Sequence, residues 1–192
     1  MQTPWGSAQH ITTYEPGIVS VSTAGHGGFM AKKDWAEKNL TEAARNQGFF
    51  ENGHYCYEED CKWAIAAFEI PQHWPRIFEY MKDCDTPEQQ RAYLIKTISA
   101  WDAQYLIDRG IEPEPAAYAR YLERHQEDQM RADKSPDLIV IAWGDWDTQI
   151  PGICRVATAD GAQHFVTEES YDRVTGLNLL SKCEIVSVDT SE

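Results

Sequence analysis

Residues 9–28, QHITTYEPGIVSVSTAGHGG, decide how this chain begins to fold. Residues 9–14 and 18–23 flank Glu15-Pro16-Gly17, and apolar positions alternate through the second run. Proline at the second and glycine at the third position of a four-residue turn suit type II geometry. A β-hairpin is therefore the economical reading. Its second strand runs into Ala24-Gly25-His26-Gly27-Gly28, which is expected to be a loop, because glycine permits positive φ and close backbone approach.

Working outward, residues 32–46 read as a helix ending near Gly48, with Trp35 and Leu40 on or near its apolar stripe. An extended segment up to Tyr57 should lead into a helix over 59–69, with carboxylates in its first turn and Trp63, Ala66 and Ala67 facing inward. Pro71 stops it, and a short helix follows over 75–81. The clearest helix covers 87–108. Thr86 and Gln89 form a capping-box pattern, Pro87 suits the first helical position, and Leu94, Ile98, Trp101 and Tyr105 share a face ahead of Gly110. Another helix spans 116–131, carrying Arg124/Asp128 and Glu127/Arg131 at i,i+4 spacing. Beyond Pro136 the character turns to β. Residues 138–143 (LIVIAW) read as a buried strand, and residues 152–158 and 162–167 form a hairpin around Asp160-Gly161. One helical turn over 168–173 and a last strand over 183–188 complete the chain. The expected class is α+β: an N-terminal β-hairpin with helices (1–85), a helical hairpin (86–133) and a small C-terminal antiparallel sheet (134–192), joined in one compact unit.

Among 192 residues, 31 are acidic and 17 basic, giving a net charge of −14. The imbalance is uneven. Residues 1–50 carry four charges of each sign, whereas 51–192 carry 27 acidic and 13 basic side chains. Such a charge disfavours unassisted binding to nucleic-acid backbones and anionic membranes. No apolar run approaches the roughly 18 residues that cross a bilayer, and the first residues do not resemble an export signal. Five cysteines at irregular spacing, Cys56, Cys61, Cys84, Cys154 and Cys183, point to reduced thiols in a cytoplasmic protein. His54-x-Cys56-x4-Cys61 offers one loose pair where zinc needs two tight ones, so no metal and no cofactor is expected. Phosphate-loop and dinucleotide glycine patterns are missing too.

Three segments carry residues capable of chemistry. Gly25-His26-Gly27-Gly28 has the composition of an oxyanion-hole loop, but the Gly-x-Ser-x-Gly nucleophile elbow that such a loop serves is missing. His26 still qualifies as a base or ligand on a permissive loop. In Glu58-Glu59-Asp60-Cys61, a thiol near a helix N-terminus can be a nucleophile, with His164 as a later partner. The adjacent carboxylates oppose that, since like charge keeps a thiol protonated. The plainer reading is an acidic first turn with Cys61 and Trp63 turned inward. Three consecutive carboxylates on a helix fan out by about 100° each and rarely chelate one ion. In Trp143-Gly144-Asp145-Trp146-Asp147, the two indoles either form a binding platform or bridge core layers, the second being favoured. The binding candidates are therefore Gly25, His26, Gly27, Gly28, Trp143, Asp145 and Trp146. The catalytic candidates are His26, Cys61, Glu58, Glu59, Asp60 and His164.

These motifs form a set: Thr3-Pro4-Trp5-Gly6, Pro16-Gly17-Ile18, Val21-Ser22-Thr23-x-x-His26-Gly27-Gly28, Tyr57-Glu58-Glu59-Asp60-Cys61-x-Trp63-Ala64, and Gly144-Asp145-Trp146 followed by Pro151-Gly152. As a set they resemble an uncharacterised bacterial domain family of unknown function. The resemblance implies a setting on plasmids, phages and other mobile elements, and it transfers no catalytic residue. With the negative charge, it gives the first expectation: an acidic binding protein of a mobile element that inhibits a host defence complex, restriction or CRISPR, by occupying its basic surface. The partner is then a protein, without direct contact to nucleic acid or membrane. The alternative is a small hydrolase or protein-modifying enzyme using His26 with Cys61 or with the carboxylates at 58–60.

Overall fold

A computed structural model describes residues 1–188, and for Asp145 and Trp146 the backbone alone. The chain is mixed α and β and divides into two units, the first Met1–Tyr121 and the second beginning at Leu122. No helix among the described residues is long and apolar enough to cross a membrane.

The first unit opens with a small ribbon, β1 (Gln2–Thr3) and β2 (Gly6–Ser7). The hairpin around Pro16-Gly17 follows as β3 (His10–Glu15) and β4 (Ile18–Ser22), with an irregular register between Thr13 and Glu15. The sheet then grows beyond the hairpin. Gly27–Lys32 is a third strand, β5; β6 (Phe49–Glu51) and β7 (His54–Glu58) add two more, giving an antiparallel order β3-β4-β5-β7-β6. The expected glycine loop is thus shorter than its composition suggests, since Gly27 and Gly28 belong to the central strand. The five consecutive buried residues Gly27 to Ala31 follow from that position. Phe29 and Ala31 enter the main core, while Met30 packs with Val21 and Cys56 on the opposite face, beneath Trp5 and Val19.

Helices cover one face of this sheet. The helix expected over 32–46 is two, α1 (Lys33–Asn39) and α2 (Glu42–Gln47), because Leu40 turns extended and Thr41 caps the second by accepting from Ala44 N. The next helix, α3 (Trp63–Phe68), starts four residues later than expected. Residues 59–62 are a turn, so no carboxylate lies in the first turn of α3. Its Ala64, Ile65, Ala66 and Ala67 are all fully buried, because α3 lies between the sheet and the longer helix that begins at Pro87. A 3-10 turn (Pro71–His73) and α4 (Trp74–Ile77) stand where a helix over 75–81 was expected.

The helix expected over 87–108 breaks at Asp102 into α5 (Pro87–Trp101) and α6 (Ala103–Asp108). The break carries a contact: the Asp102 carboxylate accepts from Lys62 Nζ, just ahead of α3. The change of direction keeps Leu94, Ile98 and Tyr105 buried but leaves Trp101 43% exposed. The capping box is complete. Thr86 Oγ1 accepts from Gln89 N at 3.3 Å, and Gln89 Oε1 accepts from Thr86 N at 2.9 Å. Helix α7 (Pro115–Ala132) carries the chain into the second unit, with Glu127 and Arg131 paired at 2.8 Å.

The second unit is a four-stranded antiparallel sheet in the order β11-β10-β9-β8. Strand β8 (Ile139–Trp143) leads through the single helical turn α8 (Asp145–Thr148) to β9 (Ile153–Thr158). The hairpin at Asp160-Gly161 joins β9 to β10 (Gln163–Thr167), and α9 (Glu168–Asp172) and β11 (Ile185–Val186) follow. Ile139, Cys154, Val156, Val166 and Leu180 form its core. Residues 138–143 are not uniformly buried as their apolar run suggests: β8 is an edge strand, so Ile141 is half exposed. The last strand is shorter than expected because only Ile185 and Val186 pair with β10. All five cysteines carry thiols rather than disulfides, three of them buried.

Candidate functional site

Antiparallel pairing between β5 and β7 brings the His26 segment and the Glu58–Cys61 segment together. Gly28 lies opposite Glu58 in the register, and Glu59 N donates to Gly27 O at 3.1 Å. The glycines are required by this approach. A Cβ on Gly28 would stand 2.0 Å from Tyr57 O, and one on Gly27 would stand 2.4 Å from Val21 O and 2.6 Å from Glu59 Oε2. The Glu59 carboxylate thus fills space that any other residue at position 27 would need.

Thr23 fixes the turn that presents His26. Its hydroxyl donates to His26 O at 2.7 Å, while His26 N donates to the same Oγ1 at 3.2 Å. Nothing in the motif marked Thr23 beyond its place before Ala24-Gly25, although threonine closing a turn through its hydroxyl is a recognised local device. Glu58 holds the opposite side. Its Oε2 accepts from Asp60 N at 2.8 Å and from Cys61 Sγ at 3.5 Å, and its Oε1 lies 3.9 Å from His26 Nδ1.

One ligand atom from each of His26, Glu58 and Glu59 falls within 4.8 Å of the others. The earlier objection to chelation concerned consecutive carboxylates fanning out on a helix; here the carboxylates sit at a strand end and turn, and the third donor comes from another segment. One imidazole nitrogen and two carboxylates are the donor types that divalent zinc or manganese accept, with open positions left for water. Without a metal, the same groups place an imidazole beside carboxylates, residue types that general acid–base chemistry uses. Beside them lies a hollow of about 190 Å³ whose lining includes Ser20, Phe29, Glu59 and Trp63.

Cys61 belongs to the cluster but not as an activated nucleophile. Partial burial pushes its thiol above the ordinary value of 9.0, and the hydrogen bond to Glu58 and that carboxylate's charge push the same way. The thiol and Trp63 are half-buried rather than turned fully inward. Asp60 is exposed and stays outside the donor set. Gly25 stands exposed at the tip of the turn.

The remaining candidates lie in the second unit. His164 is on β10 opposite Val156, where its electrostatic partner is Asp160. Asp160 is held below its usual value by hydrogen bonds from Thr158 Oγ1 and Ala162 N, which close the hairpin turn. Trp143 carries the Arg155 guanidinium 4.4 Å from its ring centroid, and Asp147 pairs with Arg155 Nε at 2.8 Å, so a cation already occupies one face of that indole. The side chains of Asp145 and Trp146, both binding candidates, lie outside the described residues.

A family model for a domain of unknown function, DUF7007, matches residues 1–132. The chain belongs to the DUF7007 family. The match contains the whole β5–β7 cluster, so His26, Glu58 and Glu59 all lie within the DUF7007 domain, and the second sheet lies beyond it. Neither the curated proteins nor the solved structures contain a match to the chain.

Proposed function

We propose that this DUF7007 protein is an acidic binding protein of a mobile element, acting in the cytoplasm, whose partner is the basic, nucleic-acid-binding surface of a host defence complex. The observation that carries the reading is the distribution of charge. From Leu122 onward the chain holds 14 acidic and six basic side chains, while residues 1–50 are balanced. Many of these carboxylates are solvent-exposed, including Glu123, Asp128 and Asp133 near the end of the long helix. An exposed acidic surface competes with phosphates for the same lysines and arginines, and complementary charge speeds and orients such docking. The mobile-element setting rests on the motif resemblance; the family match assigns no activity.

The test is affinity capture of host proteins by the full chain, followed by competition of the captured partner with duplex DNA. Recovery of a nuclease or defence subunit, displaced by DNA and by salt, supports the reading. Recovery of no such subunit overturns it.

A second reading has its own observation. The approach of His26 to Glu58 and Glu59 supports a small hydrolase that uses imidazole and carboxylates, while the thiol version loses support because Cys61 is held protonated. Assays of ester and phosphodiester hydrolysis with zinc or manganese present, comparing the protein with His26→Ala and Glu59→Gln, test it. Turnover that is absent, or that survives both substitutions, ends this reading.

A further inference from the structure

A second concavity in the first unit, of about 540 Å³, has the opposite electrostatic character from the chain as a whole. Its walls include Lys32, Lys33, Lys38, His54, Trp35 and a single carboxylate, Asp34. Three lysines thus line one hollow in a protein of net charge −14. Solubility gives no reason to gather cations in this way, and a volume of several hundred Å³ is the size that small ligands occupy.

The fold builds this hollow from three backbone segments. Lys32 ends β5 directly across from His54 on β7, so the two side chains are cross-strand neighbours. Lys32 N donates to Gly17 O at 2.8 Å and Lys33 N to Gly53 O at 2.9 Å, which ties the two sheet turns to the start of α1. Lys38 follows on α1, one turn beyond Trp35. The Trp35 indole is anchored, since its Nε1 donates to Glu15 Oε1 at 3.0 Å. The charge of Lys33 is partly answered by Glu37 at 3.9 Å, an exposed pair that contributes little.

We infer that this basin binds a nucleotide, with its phosphates on Lys32, Lys33 and Lys38 and its planar ring against Trp35. Lysines act as point charges for phosphate, and a fixed indole offers a flat apolar wall to a base. The basin is built wholly from residues of the first unit, and its inference stands or falls independently of the proposed protein partner.

Isothermal titration of the full chain with ADP at low ionic strength tests the inference, with pyrophosphate and adenosine as separate arms. Saturable ADP binding is expected, with pyrophosphate weaker and adenosine weaker still. A Lys32→Ala/Lys38→Ala variant should lose roughly tenfold or more in ADP affinity, as removal of charged hydrogen-bond donors does. Lys96→Ala, an exposed change on α5, should bind as the unaltered protein does. Trp35→Leu should weaken ADP and leave pyrophosphate unchanged. The lysine substitutions are at exposed positions and leave the core intact, so they remain decisive if the Trp35 variant misfolds. Absence of saturable ADP binding up to millimolar concentration overturns the inference. So does an affinity untouched by the double lysine substitution, or pyrophosphate binding as tightly as ADP.

Discussion

Cys61 shows how one neighbour sets a side chain's chemistry. Partial burial disfavours the thiolate first, and the Glu58 carboxylate adds to it by accepting the S–H and by opposing a second negative charge on sulfur. The thiolate is the reactive form, so raising the thiol's pKa depletes it at neutral pH. Iodoacetamide should therefore label Cys61 more slowly than a free cysteine between pH 7 and 8, the rate still climbing at pH values where that of a free cysteine has levelled off. Glu58→Gln removes the charge and should speed labelling at neutral pH, as mass spectrometry of the modified peptide would read. Labelling of the unaltered protein as fast as that of free cysteine would mean that Glu58 does not control this sulfur. The same residue scale explains why the candidate site was half legible. His26, Glu58 and Glu59 stood out as residue types, but their meeting depends on a strand pairing that neither motif encodes. Thr23 and Trp63 stayed obscure because their roles, closing a turn and lining a hollow, exist only once the segments are adjacent.

Among the secondary-structure elements, those with strong local chemistry were readable and those decided by tertiary contact were not. The capping box at Thr86 and the Asp160-Gly161 hairpin are local, and both formed as read. Loss of the cap should be measurable: Thr86→Ala is expected to cost about 1 kcal/mol of stability, seen as a lower denaturation midpoint. An unchanged midpoint would show that α5 is held by packing alone. By contrast, β5 was hidden because Gly27-Gly28 resembles loop sequence and Phe29-Met30-Ala31 is too short a run to show a period. Burial on both faces of the sheet overrides that preference. The breaks at Leu40 and Asp102 were hidden for a related reason. Thr41 N and Oγ1 donate to Glu69 at 3.0 Å each, and Asp102 receives Lys62, contacts that come from distant parts of the chain.

For the whole molecule, charge should act on stability and on association in opposite directions. Fourteen excess negative charges repel one another across the folded protein. Moderate salt screens that repulsion, and a gain of about 1 kcal/mol corresponds to a rise of about 2–4 °C in midpoint for a chain of this size. Docking to a basic partner is expected to weaken over the same range, because salt screens attraction equally well. Thermal melts and binding isotherms recorded across one salt series would expose the opposition. A midpoint falling with salt would show that ion pairs such as Glu69–Arg109 outweigh the net repulsion.

The burial of β5 on both sides has a dynamic consequence for the turn attached to it. Amides in the middle of a central strand open only when the sheet itself comes apart, whereas those of an exposed turn exchange with solvent through local fluctuation. Ala24 and Gly25 are exposed, and Phe29, Met30 and Ala31 pair with strands on both sides. Deuterium uptake should thus fall steeply within a few residues, fast at Gly25 and slow by Phe29. His26 sits on that gradient, an exposed residue that immediately precedes the central strand.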